Sequence, residues 1–95
     1  MSYYIVVDIK IHDPEGYEEY KKKVGPLIAK CGGRYLVRAG ELTTMGDGWK
    51  PERIVMLEFA DKRTAMALFA SEEYAPLATI RERCATTNGF GVEGI

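Results

Sequence analysis

Residues 3–11 alternate, with Ile5, Val7, Ile9 and Ile11 on one side and Tyr4, Val6, Asp8 and Lys10 on the other. A period of two in β-branched residues predicts a strand. Asp13-Pro14-Glu15 follows and reads as an N-cap, a proline in the first helical position and an acid in the first turn. Tyr17, Tyr20, Val24, Leu27, Ile28 and Cys31 then recur at spacings of three and four, which buries one face of a helix. Gly25-Pro26 lies inside that stripe and predicts a kink, because proline removes a backbone donor and clashes with the preceding turn. Gly32-Gly33 supplies the left-handed end.

Residues 34–39 form a second strand, with Tyr35, Val37 and Ala39 opposed to Arg34, Leu36 and Arg38. The stretch 40–52 holds three glycines and a proline and reads as a long hairpin connection, with 41–45 extending the ladder. Residues 53–59 give a third strand, placing Val55, Leu57 and Phe59 on one face and Ile54, Met56 and Glu58 on the other. Asp61 caps a second helix that buries Ala65, Leu68 and Phe69, and Ser71-Glu72-Glu73 restarts it toward Leu77, Ile80 and Cys84. Residues 86–95 are glycine-rich yet extended, and fit a fourth strand at an edge. The order is β-α-β-β-α-β, a ferredoxin-like α+β domain spanning 1–95. Right-handed crossovers put both helices on one face of a four-stranded antiparallel sheet of order 4-1-3-2.

The opposite face should be polar if it met water, yet it carries Tyr4, Val6, Leu36, Ile54 and Met56. Covering such side chains contributes roughly 1.5–3 kcal/mol each on full burial, and no segment is left over to cover them. A second copy of the same face across a two-fold axis is the simplest cover, which predicts a homodimer through the open sheet face.

Composition then narrows the function. Net charge is −1, so there is no basic footprint for nucleic acid and no polybasic stretch for a membrane surface. The apolar run Ile5-Val6-Val7 is far too short to span a bilayer, and no signal-peptide pattern follows Met1, so a soluble, cytoplasmic protein is expected. Cys31 and Cys84 form no paired motif and read as buried thiols in a reducing compartment. No metal cluster, Ser-His-Asp set or nucleotide fingerprint is present, and no cofactor is called for.

The charged residues of the open face are Asp8, Arg34, Arg38 and Glu58. With Ala39 opposite Arg53, Arg34 falls opposite Glu58, and Arg38 is a partner for Asp8. Such charges in a dimer-covered space must be paired. They read either as a register-fixing ion-pair network or as a pocket in which an arginine holds an anionic or carbonyl group while a carboxylate moves a proton. On the second reading Asp8, Arg38 and Glu58 are the catalytic candidates, with Tyr4, Arg34 and Trp49 binding the ligand. His12, the single histidine, sits in a turn and reads as a solvated or capping residue.

Tyr4-Ile5-Val6-Val7-Asp8-Ile9 with Asp13-Pro14-Glu15-x-Tyr17-x-x-Tyr20 resembles the opening of the domain-of-unknown-function 1330 family. Gly32-Gly33-Arg34-Tyr35-Leu36-Val37-Arg38, Trp49-x-Pro51-x-Arg53 and Glu58-Phe59 resemble its centre, and Ser71-Glu72-Glu73-Tyr74 its Ser-Pro-Glu-Tyr element, with Glu72 in place of the proline. The resemblance implies a dimeric α+β barrel. The wider superfamily includes cofactor-independent monooxygenases, muconolactone isomerase-like enzymes and haem-binding proteins, linked by fold alone. Two functions therefore stand open: a cofactor-independent enzyme on a small carbonyl or phenolic compound, and a non-catalytic ligand-binding or accessory module.

Overall fold

The computed structural model describes all of residues 1–95. The elements are β1 (Tyr3–Ile11), α1 (Pro14–Lys30), β2 (Arg34–Arg38), β3 (Ile54–Phe59), α2 (Lys62–Phe69), α3 (Ala75–Cys84) and β4 (Ala85–Glu93). The strands form one antiparallel sheet of order β2-β3-β1-β4, as the crossover argument requires. Asp13 caps α1 by accepting from the Gly16 N–H at 3.2 Å, with Pro14 just inside the helix. The helix runs through Pro26 to Lys30, so the proline is accommodated within it rather than ending it. Gly32 takes φ +81°, and the Gly33 N–H closes back on the Ile28 carbonyl at 2.9 Å, the left-handed cap that the glycine pair implied.

Asp61 caps α2 through the Thr64 N–H and hydroxyl, both at 2.8 Å. The following helical region is split. Ser71 donates to the Leu68 carbonyl at 2.7 Å and accepts from the Tyr74 N–H at 3.2 Å, so it bridges the end of α2 and the start of α3. The expected restart at Ser71 is therefore a turn, and α3 begins only at Ala75. The segment 41–45 adds no strand: the connection from β2 to β3 is irregular and solvent-exposed throughout 40–50.

Sixteen residues are buried and all are hydrophobic. Phe59, Leu68 and Cys84 are the largest of the fully enclosed side chains, and the β1 residues Ile5 and Ile9 share the core with Tyr17, Tyr20, Val24, Leu27 and Ile28 of α1. An aromatic chain ties the layers together. Phe59 meets Phe69 edge-on at 6.2 Å, Phe69 meets Tyr74 at 5.2 Å, and Tyr74 meets Tyr20 at 6.5 Å.

One irregularity redirects a side chain. Arg34 pairs with Glu58 and Tyr35 with Leu57, but Val37 pairs with Met56 and Arg38 with Val55. Leu36 is thus an extra residue in β2, and beyond it every side chain changes face. Ala39, at φ +57°, donates to the Ile54 carbonyl at 2.8 Å instead of lying opposite Arg53.

Candidate functional site

On the open face the expected Arg34–Glu58 couple forms, Arg34 Nε donating to Glu58 Oε1 at 2.6 Å. Glu58 titrates below its ordinary range, held down by hydrogen bonding from Ser2 and then Arg34, with Tyr4 adding a smaller share. The expected Arg38–Asp8 couple does not form, because the Leu36 bulge carries Arg38 to the helix side of the sheet. Its guanidinium lies over the Tyr35 ring, 4.0 Å from the centroid. Asp8 instead latches the far end of the long connection. Its Oδ1 accepts from the Glu52 and Arg53 N–H groups at 3.0 and 3.3 Å, and its Oδ2 from the Trp49 indole at 3.4 Å. Tyr4 stays on the open face, paired in register with Glu58 and Val92. The six residues singled out in the sequence are therefore not one constellation. Tyr4, Arg34 and Glu58 share one end of the open face, Asp8 and Trp49 lie toward its other end, and Arg38 lies on the other side.

That other side holds a cavity of about 180 Å³ between the sheet and the helices, lined by 17 residues, 12 of them hydrophobic. This cavity lies within one chain, on the side of the sheet away from the open face on which the sequence placed a dimer-enclosed pocket. Register explains its layout. The helix-facing rows of the sheet run Tyr35–Leu57–Ile5–Gly91, then Arg38–Val55–Val7–Gly89, then Arg53–Ile9–Thr87. A Cβ at Gly89 would strike Val7 and one at Gly91 the Tyr3 ring, so the glycines of β4 let large β1 side chains lean across it. Helix α1 adds Tyr17, Tyr20, Lys21, Val24 and Ile28, while Phe69, Tyr74 and Arg81 close the remaining wall.

The polar groups of the cavity are unbalanced. Lys21, Arg38, Arg53 and Arg81 line it, and no carboxylate or imidazole does. Tyr20 and Tyr74 share a hydroxyl–hydroxyl hydrogen bond of 2.9 Å. Burial, opposed only in part by Arg53, raises the Tyr17 hydroxyl; burial and then Tyr74 raise Tyr20 strongly; burial, opposed by Arg38, raises Tyr35. All three are therefore neutral donors near pH 7. The Nε atoms of Arg53 and Arg81 and the hydroxyl oxygen of Thr87 are buried with no hydrogen-bond partner in the protein, and all three residues line this cavity. Each such orphan costs about 1–3 kcal/mol. These residues were passed over in the sequence because an isolated arginine in an amphipathic segment reads as solvated, and the tyrosines read as core.

A shallower groove of about 350 Å³ between α1 and α3 is lined by six residues and carries the exposed Lys23 and Glu73.

Together the single antiparallel sheet and the helices packed on one of its faces define a ferredoxin-like α+β fold. The chain belongs to the DUF1330 family, a domain of unknown function, whose description matches residues 2–95. A protein of unknown function from Rhodopseudomonas palustris superposes with a TM-score of 0.79 at 13% identity, over 99% of this chain and 82% of that one. A cofactor-independent oxygenase from Streptomyces nogalater superposes with a TM-score of 0.68 at 14% identity, over 99% of this chain and 93% of that one. At such identities the likeness is one of fold. A search of curated proteins finds no match. No helix is long and apolar enough to cross a membrane.

Proposed function

We propose that the chain is a homodimer whose protomers each take a small, mainly apolar carbonyl or phenolic compound into the cavity between sheet and helices and act on it without a bound cofactor. The observation that carries this reading is the cavity itself: a largely apolar space with protonated tyrosine hydroxyls and four cations but no acid. Neutral hydroxyl donors and guanidinium charges favour the enolate or phenolate form of a bound carbonyl or phenol. That form is what chemistry without a cofactor needs, and the fold neighbour described as a cofactor-independent oxygenase accords with it. Arg38, over Tyr35 at the cavity's rim, is the one catalytic candidate from the sequence that lines this space. Asp8 and Glu58 act on this reading through position, Asp8 by fixing the backbone of Arg53 and Glu58 by holding the open face in register.

The dimer would form through the open face. Val37, Met56, Val6 and Phe90 make one cross-strand row there, and Phe90 and Val92 stand 53% and 45% exposed in the lone chain. Two free thiols, Cys31 and the buried Cys84, accord with a cytoplasmic address.

The lack of a carboxylate or imidazole among the lining residues favours a second reading, a module that binds without turnover. Incubating the purified protein, in air, with the small molecule it carries from its source separates the two. Conversion that is lost in Arg38→Ala supports the enzyme. Recovery of the compound unchanged supports the module.

A further inference from the structure

We propose that the Arg53–Arg81–Thr87 end of the cavity is a carboxylate subsite, so that the compound taken up carries a carboxylate beside its apolar body. The inference rests on reading the cavity as a ligand site and names the chemical class of that ligand. Buried polar side-chain atoms in native chains are almost always hydrogen-bonded. Here the unpartnered ones are Arg53 Nε, Arg81 Nε and Thr87 Oγ1, and all three residues fall on one cavity.

Topology gathers them. The Ile9 N–H donates to the Arg53 carbonyl at 2.9 Å, and Ile9 pairs in register with Thr87 on its other side. Arg53 and Thr87 thus flank Ile9 in a single row across the sheet, on the helix-facing side, and Arg81 reaches the same cavity from α3. Arg53 makes no ion pair, and Arg81 meets only Glu82, through Nη2, at 3.6 Å. Two arginines and a threonine, each with a polar atom left unpartnered, therefore line a space with no acid of its own. A carboxylate is acceptor-only, with about four lone-pair sites on two oxygens, and meets all three donors with charge assistance. A neutral carbonyl offers two lone pairs and leaves both charges uncompensated. The volume fits as well. An apolar cavity of about 150 Å³ takes a benzene ring, and this one measures about 180 Å³, with Val7, Val24, Ile28 and Leu57 forming its apolar part.

Benzoate, benzamide and phenol form a matched probe set, titrated into the wild-type protein and the Arg53→Met, Arg81→Met and Thr87→Val variants. Binding is followed by amide chemical shifts and by calorimetry. Benzoate should bind about tenfold more tightly than benzamide or phenol to the wild type. Either methionine variant should erase that preference and leave benzamide binding unchanged, while Thr87→Val, nearly isosteric, should reduce it about threefold. Equal binding of all three probes, with shifts at Val7 and Val24, would overturn the carboxylate subsite and leave the cavity reading intact. Shifts from none of the three at Val7, Val24 or Thr87 would overturn both.

Discussion

The two faces of the sheet carry similar numbers of charged groups and treat them in opposite ways. On the open face Arg34 is met by Glu58, and Asp8 by two backbone N–H groups and the Trp49 indole, all within the chain. On the helix side Arg53 and Arg81 keep buried N–H groups that no protein atom accepts. A face whose Arg34, Glu58 and Asp8 are paired within the chain, and whose apolar surface includes Val6, Met56 and Phe90, is suited to meet another protein surface. A cavity with unpaired donors is suited to meet a ligand that brings its own acceptors. Apolar exposure and polar deficit thus mark two different kinds of site on one sheet.

Several substitutions break or sharpen this contrast. Phe59→Ala, at a ring only 1% exposed, should lower stability by about 3–5 kcal/mol in denaturant melts and so weaken both sites at once. Met56→Lys, in the middle of the apolar row, should weaken association at least about a hundredfold. Sedimentation would then read 10.6 kDa rather than twice that mass, and the cavity should still bind its ligand. Arg81→Met should do the reverse, leaving the dimer unchanged. It should also raise the stability of the ligand-free protein by about 0.5–1 kcal/mol, because it removes an unpaired donor. Stability lost to that substitution would mean that Arg81 is satisfied in the folded chain.

Ala39→Gly should stabilise by about 0.5 kcal/mol, the relief of a left-handed Cβ exceeding the added chain entropy. The smallest effect concerns Glu58, whose folded pKa lies below 4.5. A depressed carboxylate stabilises above its unfolded pKa, and that share is lost as pH falls through the folded value. Glu58→Gln should therefore flatten the stability-against-pH curve below about pH 4.5 and leave it parallel to wild type above.

Much of the scaffold could be read from the sequence. The alternation in 3–11, the Asp13-Pro14 start and the Gly32-Gly33 stop give β1, α1 and their junctions, and the pairing of Arg34 with Glu58 follows from the hairpin register. The candidate site was less legible, for a definite reason. One inserted residue, Leu36, reverses the side on which Arg38 emerges, and neither local propensity nor period two signals it; only Ala39 with φ +57° beside Gly40 marks the strain. The wall of the cavity was hidden differently. Tyr17, Tyr20 and Tyr74 are core by their burial and lining by their position, and periodicity reports only the first. Phe90 and Val92 were lost among the glycines of β4, whose role is to yield space to Tyr3 and Val7.

Native mass spectrometry of the gently purified protein tests the account most directly, since it reports assembly and ligand together. The expected species is twice 10.6 kDa with one small acid held per protomer, and Met56→Lys should shift it to a ligand-carrying monomer. A wild-type species at 10.6 kDa, or a ligand lost on Met56→Lys but retained in Arg53→Met, would contradict the division of labour between the two faces.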